Sequence, residues 1–200
     1  VLEQHGRKCF VDGAPIGEDE AIQFHHIRPW SEGGPTNLDN IAPVCKRHHL
    51  TIGTMSLQEY RDKVELGKFF EGDPKFLDDA IQLKQGHCAK PFKYETRDDM
   101  ICLYFENAKV EYPLHTCPVM GWRYFYALLP VAHLQNDRDL QPRALREASM
   151  RNLYRHFQKN TQLAPSICRI DAEGALLLFD GQHKAAAQIW SGRPAIECKV

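Results

Sequence analysis

The alternation of apolar and polar residues predicts a chain in which strands and helices are mixed. Runs with the two-residue period of strands, or with an apolar character bounded by turn residues, occur at 20–27, 41–45, 100–115, 122–134, 166–180 and 195–200. Runs with helical spacing or helix-end signals occur at 56–67, 73–86, 142–160 and 182–192. Together these elements predict an α+β fold.

Local signals predict where two of the helices begin and end. The marking residues are Ser56 with Glu59 as a capping box and Gly67 as a stop, then Asp73 as a cap, Pro74 in the first turn and Gly86 at the end. Turn residues also predict that the 100–115 hairpin reverses at 107–109 and the 166–180 hairpin at 172–174.

The elements fall into three parts. Residues 1–67 are rich in His, Gly and Pro and form the first predicted domain, 68–98 form a polar helical connector, and 99–200 form a second α+β domain. Val1 lies just before Cys9, and Val200 ends inside a strand-like run, so we expect a fragment of a longer protein.

Composition narrows the class of protein. The 200 residues are 43% hydrophobic, which permits a packed core, and Lys+Arg (25) nearly balance Asp+Glu (26) to give a net charge of -1. This balance argues against a large electrostatic surface for nucleic acid, although a local basic surface remains compatible. No run of 18 apolar residues occurs, so we expect no membrane span.

The cysteines suggest a reducing compartment. There are seven, scattered without a tight repeat, and no secretion signal precedes them. We therefore expect a cytoplasmic protein, of bacterial or phage origin.

Histidines concentrate in one short segment. His25 and His26 open the segment "FHHIRPWSEGGPTNLDNIAPVCKRHH" and His48 and His49 close it. Neighbouring residues on a strand point to opposite faces, so His25 and His26 cannot share one ligand and are expected to divide their roles. A helix after the second strand can bring His49 back to the end of the first strand, and the predicted unit is a two-strand, one-helix clip.

This segment resembles the HNH, or ββα-metal, nuclease family. The matching pieces are "HHIRP", the "GG" loop, "NLDN" and "C-x-x-H-H". The resemblance implies that His25 and His49 are metal ligands, that His26 is the general base, and that Asn40 braces the loop. Such chemistry needs a cation to offset transition-state charge and an imidazole that accepts a proton from water. We expect Mg²⁺ or Mn²⁺ in use, although imidazoles also accept Co²⁺, Ni²⁺ or Zn²⁺.

The same family often carries a zinc site made of two C-x-x-C pairs. This chain has Cys9 with Asp12 and Cys45 with His48 at those places, so one Cys is replaced by Asp and one by His. Zinc accepts all three ligand types, and a structural Zn²⁺ would stabilise a small domain. Asp12 precedes Gly13 and is also suited to hold a turn.

Other residues near the histidines have simpler expected roles. Pro29 and Trp30 are predicted to pack rather than to contact DNA. Arg28, Lys46 and Arg47 either contact phosphate or form solvated surface.

A strand, a glycine and a helix meet at "FDGQHKAAAQIW", residues 179–190. A helix N-terminus exposes free N–H groups and a positive dipole, which favour anions. Such junctions are common, so an ordinary connection is the alternative interpretation.

Residues 120–200 resemble the ParB/sulfiredoxin-like superfamily, in particular its "DGQHR" branch, with Lys184 in place of the usual Arg. The resemblance implies binding of a nucleoside triphosphate or a DNA phosphate. The candidate contacts are Asp180, Gly181, Gln182, His183, Lys184 and Arg143.

These features predict a metal-dependent DNA endonuclease whose second domain senses nucleotide or DNA, in a combination that would suit defence against foreign DNA. The alternatives are a non-catalytic binding module and a nucleotide-hydrolysing regulator. Cutting both strands would need two such sites, hence a homodimer.

Overall fold

A computed structural model describes residues 1–86 and 90–200 of the chain. These residues form two compact units, 1–71 and 72–200. Each unit has strands and helices, so the predicted α+β class is confirmed.

The first unit is built on a short antiparallel ribbon. Strand β1 (Gln23–His26) pairs with β2 (Ile41–Val44), with His25 opposite Ala42 and His26 opposite Ile41. Helix α1 (Leu2–His5) precedes the ribbon, and α2 (Lys46–Thr51) follows β2 directly. The core of the unit consists of Cys9, Val11, Ile16, Ala42, Val44, Ile52, Leu57 and Tyr60.

One hydrogen bond of the capping box predicted for helix α3 is present. The helix spans Leu57–Phe69, and the Ser56 hydroxyl accepts a hydrogen bond from the Glu59 N–H at 3.1 Å. Gly67 does not end the helix, because the chain continues in helical conformation for two more residues.

The second unit contains a five-stranded mixed sheet. Its strand order is β8-β12-β10-β11-β9, which places β10 at the centre. The strands are β8 (Tyr126–Pro130), β9 (Leu134–Asn136), β10 (Ser166–Ile170), β11 (Leu176–Asp180) and β12 (Ala195–Lys199). Helices α4 (Leu77–Gln85), α5 (Glu147–Phe157) and α6 (Gln182–Trp190) pack together, and α6 is almost fully buried.

Two smaller sheets complete the second unit. Strands β3 (Lys93–Arg97), β4 (Met100–Phe105) and β5 (Ala108–Pro113) form one, and β6 (His115–Thr116) and β7 (Arg123–Tyr124) form the other. The pairing of Phe105 with Ala108 puts the hairpin turn at 106–107, so the predicted turn at 107–109 is wrong by about one residue.

The predicted start of α4 is also wrong. Neither Asp73 nor Pro74 belongs to the helix, which begins at Leu77. The Asp79 carboxylate accepts a hydrogen bond from the Phe76 N–H at 2.7 Å, so the acidic residue that stabilises this end lies inside the first turn.

Within the described residues, no helix is both long and apolar enough to cross a membrane.

Candidate functional site

The ribbon and α2 bring two histidines together. His25 lies on β1, and α2 carries His49 back so that the centroids of the two imidazole rings are 5.8 Å apart, with planes at 72°. His25 Nδ1 lies 3.0 Å from the His26 carbonyl oxygen. Because a carbonyl only accepts, Nδ1 carries the proton and Nε2 keeps a lone pair for a ligand.

His26 follows His25 on β1, and its side chain makes a different contact. Its Nε2 is 2.9 Å from the hydroxyl oxygen of Thr36, across the loop that joins the two strands. The His26 side chain is half-buried, and Thr36 is exposed. The imidazole is therefore fixed through one nitrogen at the edge of the site, and the other nitrogen remains to meet a solvent molecule.

Asn40 clamps the loop that follows the histidines. Its Oδ1 accepts a hydrogen bond from the Arg28 N–H at 2.9 Å, and its Nδ2 donates to the carbonyls of Arg28 (3.0 Å) and Pro35 (2.8 Å). Asn40 is only 8% exposed, so these bonds satisfy a buried amide. One side chain therefore holds the loop at Arg28 and at Pro35.

The hydrogen bonds between Asn40 and Arg28 also require a glycine at position 34. A Cβ at this position would lie 2.0 Å from the Arg28 carbonyl oxygen and 2.8 Å from Asn40 Nδ2. Any side chain would therefore push the backbone of the loop away from the amide that holds it.

A second cluster of ligand atoms lies in the same unit. The Sγ atoms of Cys9 and Cys45 are each 3.3 Å from His48 Nδ1, and the three ligand atoms lie within 4.8 Å of one another. A tetrahedral zinc ion with ordinary bond lengths separates its sulfur and nitrogen ligands by about 3.5 Å. The donor types and spacings therefore fit a zinc ion, and this cluster could hold a metal.

Asp12 stands at the edge of that cluster. Its Oδ1 accepts a hydrogen bond from the Ala14 N–H at 3.1 Å, and its Oδ2 lies 3.8 Å from His48 Nδ1 and 3.3 Å from an Arg47 nitrogen. Burial is the largest single effect on the pKa of Asp12 and raises it, but the hydrogen bond from the Ala14 N–H and the electrostatic effects of neighbouring groups together hold the pKa below its ordinary value. One carboxylate oxygen thus holds the turn, while the other faces the cluster.

Burial shapes the charge state of the cluster. Burial is the main cause that raises the pKa of the Cys9 thiol, and the neighbouring Cys45 adds to it. Burial also lowers the pKa of His48, and Arg47 adds to that effect. In the metal-free protein these groups favour a neutral thiol and a neutral imidazole, so metal binding would release thiol protons.

In the second unit, a cavity opens at the N-terminus of α6. Its volume is about 700 Å³, and residues from β11, α6 and the 141–146 segment line it. The predicted contacts Asp180, Gly181, Gln182, His183, Lys184 and Arg143 all border this cavity, together with Gln141 and Arg146. Gly181 caps the helix at a φ of 87°, with no side-chain oxygen on the first N–H groups.

Two buried polar atoms beside this helix end have no hydrogen-bond partner among the described residues. Gln182 donates through Nε2 to the Arg143 carbonyl at 2.7 Å, while its Oε1 is buried without a partner. The Ser166 hydroxyl is likewise unsatisfied, and a Cβ on Gly181 would lie 3.0 Å from it. Buried polar atoms of this kind are costly unless water or a ligand completes them.

The basic side chains at the cavity are partly engaged. Lys184 Nζ donates to the carbonyls of Ala164 (2.8 Å) and Pro165 (2.9 Å), and burial lowers its pKa. His183 Nε2 accepts a hydrogen bond from the Arg146 N–H at 2.9 Å; burial, then the charges of Arg146 and Arg143, lower its pKa. The Lys184 ammonium group is occupied by these two carbonyls, so the guanidinium groups of Arg143 and Arg146 are the better candidates to bind an anion.

Sequence reasoning missed several residues of both sites. Thr36 and Arg146 lie outside any motif spacing, and only the fold brings them to His26 and His183. Trp30 was expected to pack, and this is wrong, since 78% of the residue is exposed.

Comparison with known proteins finds a family match within the first unit. Residues 7–54 match the HNH endonuclease family, a span that contains both clusters of ligand residues. This family is described as one of endonucleases, which suggests a nuclease or DNA-binding role for the matched segment. No curated protein and no solved structure matches the chain. The resemblance of 120–200 to ParB-like proteins therefore stays a prediction.

Proposed function

We propose that the first unit hydrolyses phosphodiester bonds in DNA, with His26 as the general base. The observation that carries this proposal is the convergence of His25 and His49 at the end of the ribbon, with His26 following His25 on β1. Two imidazoles with free nitrogens suit a divalent cation, and a third imidazole close by suits proton transfer.

In this proposal, His25 and His49 hold the cation. When bound, Mg²⁺ or Mn²⁺ would offset the negative charge that builds on the phosphate oxygens in the transition state. The hydrogen bond from His25 Nδ1 to the His26 carbonyl orients the ring, so that Nε2 is the atom offered to the metal. Asn40 keeps the loop beside them in one conformation, which reduces the cost of ordering the site on binding.

The proton balance assigns one step to His26. Its free nitrogen takes a proton from water as the water oxygen bonds to phosphorus, and the P–O bond to the leaving sugar oxygen breaks. The leaving oxygen then takes a proton from solvent. The Thr36 hydroxyl lies 2.9 Å from His26 Nε2 and holds that nitrogen, so that Nδ1 is the nitrogen left to accept the proton.

We also propose that Cys9, Asp12, Cys45 and His48 form a structural zinc site. The three-residue cluster supports it, and the Asp12 oxygen 3.8 Å from His48 supplies a fourth donor after a small shift. Such a site would stabilise a unit whose hydrophobic core is small.

Plasmid nicking tests the nuclease proposal. Supercoiled DNA is incubated with the protein and Mg²⁺ or Mn²⁺, and the parent is compared with His26→Ala and with a chelator control. We expect the parent to nick and His26→Ala to lose about 100-fold or more in rate. Equal cleavage by both proteins would remove His26 as the base, and binding without cleavage in every divalent ion would favour a non-catalytic module.

For the second unit we propose a phosphate-binding role at the start of α6, of the kind that a nucleoside triphosphate or a DNA backbone would occupy. The uncapped helix end and the nearby Arg143 and Arg146 support this role. Titration of ATP or CTP against the parent and Arg143→Ala, by calorimetry, tests it. Phosphate release that Asp180→Ala abolishes, with nicking intact, would instead favour the nucleotide-hydrolysing regulator.

A role against foreign DNA extends the same proposal. It predicts that cells expressing the protein plate phage less efficiently than cells expressing His26→Ala. Cleavage of both strands would use a homodimer, and sedimentation of the protein on a short duplex tests this.

A further inference from the structure

Trp30 is one of the most exposed large apolar residues of the first unit. It is 78% exposed, and no aromatic or cationic side chain of the described chain packs on its ring. An isolated exposed Leu or Val needs no explanation, but a tryptophan left almost entirely in water exposes an unusually large apolar surface. Most of the ring surface is therefore available for a contact outside the described residues.

The backbone under Trp30 is held firmly. A short 3₁₀ turn spans Trp30–Glu32, with the Pro29 carbonyl accepting from the Glu32 and Gly34 N–H groups at 3.0 Å each. Asn40 clamps Arg28, two residues earlier, through both its backbone groups. A rigid turn presents the indole at little cost in conformational entropy, which is a property of preorganised contact residues.

Trp30 is also close to the catalytic histidines. It follows His26 by four residues, so their Cα atoms are no more than about 14 Å apart. That distance is about four base-pair steps along a duplex, at 3.4 Å per step. The turn that carries the indole is thus near enough to the histidines to contact a duplex bound with its cleaved phosphate at the site.

We propose that Trp30 is an apolar wedge that enters the groove of duplex DNA and partly opens a base step beside the cleaved phosphate. This inference rests on the proposed nuclease function and assigns to it a residue that selects the substrate. Apolar side chains on rigid loops can insert between base pairs and kink the duplex. Pyrimidine–purine steps such as TA open most easily, so cleavage should favour sites next to them.

Two substrates distinguish a role of Trp30 in binding the duplex from a role in the hydrolysis step. One is a duplex oligonucleotide with a TA step, and the other is thymidine 5′-p-nitrophenyl phosphate, a diester with no groove. For Trp30→Ala we expect kcat/KM on the duplex to fall about tenfold or more, with little change on the small diester. Trp122→Ala is the matched control, because it removes a 72% exposed indole from the other unit, and it should change neither rate.

The wedge fails if Trp30→Ala cleaves the duplex as fast as the parent, or if both substrates lose activity equally, which would indicate a structural role. Thermal unfolding of Trp30→Ala checks that the fold is kept.

Binding without cleavage provides an independent readout. In EDTA, the duplex should quench the indole fluorescence of Trp122→Phe, which keeps Trp30, far more than that of Trp30→Phe. The fluorescence of a 2-aminopurine base at the TA step should rise on binding of the parent and not of Trp30→Ala.

If the parent cleaves neither substrate, the nuclease proposal fails, and the two fluorescence signals still test whether Trp30 inserts into the duplex. Absence of Trp30-dependent quenching, or stronger quenching by single-stranded DNA, would overturn it.

Discussion

His26 and Thr36 are joined across the ribbon loop, with His26 Nε2 2.9 Å from the Thr36 hydroxyl oxygen. The contact links the proposed base to the residue that follows the Gly-Gly-Pro turn, ten positions along the chain. An imidazole held through one nitrogen presents the other in a fixed direction, as the orienting partner of a catalytic histidine does in hydrolases. We therefore predict that Thr36 positions His26 and takes no direct part in the chemistry.

We expect Thr36→Val to lower kcat for nicking by about 10–100-fold, because the isosteric side chain removes the hydroxyl partner of His26. KM for DNA should change little, since the ring turns but the binding surface remains. Steady-state nicking over a range of plasmid concentrations measures both constants. Thr36→Ser keeps the hydroxyl and should restore most of kcat; a valine variant with parental kcat would rule out the positioning role.

Gly34→Ala should destabilise the first unit by about 2–4 kcal/mol, because the new Cβ meets the Arg28 carbonyl oxygen and the Asn40 amide. Chemical unfolding, followed by circular dichroism, measures the change. Gly67→Ala is the matched control. This glycine lies inside α3 with open space around its Cβ position, so the substitution should stabilise the helix by up to about 1 kcal/mol. Equal stabilities of Gly34→Ala and the parent would mean that the loop is free to move.

Much of the first unit could be predicted from its sequence because its geometry is local. The strand, loop, strand and helix follow one another within 30 residues, and each is marked by its own residues: alternating apolar positions, Gly-Gly-Pro, and the Cys-x-x-His-His segment. The clamp by Asn40 was also expected. What the sequence could not show is which hydroxyl meets His26, because that contact depends on how the loop folds back.

The second unit was harder to predict for a physical reason. Strand β3 is exposed along its whole length, so it lacks the apolar alternation that marks a strand, and only pairing with β4 makes it one. Helix α4 begins at Leu77 because buried Leu77, Ala80 and Ile81 fix its first turns, and this tertiary packing overrides the signal of Asp73 and Pro74.

We expect Asp12→Asn to separate the two roles of this side chain. An asparagine keeps the Oδ1 acceptor for the Ala14 N–H, so the turn should survive, but it lacks the charge that a zinc ligand needs. The purified parent should contain one equivalent of zinc by elemental analysis, and Asp12→Asn should release it about 10–100-fold more readily to a chelating dye. Cys45→Ser should lose zinc altogether. An asparagine variant that holds zinc as tightly as the parent would leave Asp12 with the turn alone.

The Asp137–Arg169 pair should make the second unit sensitive to acid. The Asp137 side chain is 1% exposed, and the Arg169 Nε lies 2.5 Å from its carboxylate. That hydrogen bond is the main cause that holds the pKa of Asp137 below its ordinary value, against the opposing effect of burial. Because the folded pKa lies below the unfolded value of about 3.9, the pair stabilises the protein above that pH, and the contribution is lost as the pH falls through the folded pKa.

Asp137→Asn removes this titration and should cost about 1.5–3 kcal/mol at pH 7, since the Arg169 guanidinium then donates to a neutral amide oxygen instead of a carboxylate. Urea unfolding of both proteins at several pH values between 7 and 2.5 measures the difference. The gap between parent and variant should be constant down to about pH 4.5 and then narrow as the parent's carboxylate is protonated. Arg169→Gln removes the partner of Asp137. The difference in unfolding free energy between the parent and this variant should also narrow as the pH falls below about 4.5. A gap that stays constant to pH 2.5 would mean that Asp137 is not the group whose protonation weakens the unit.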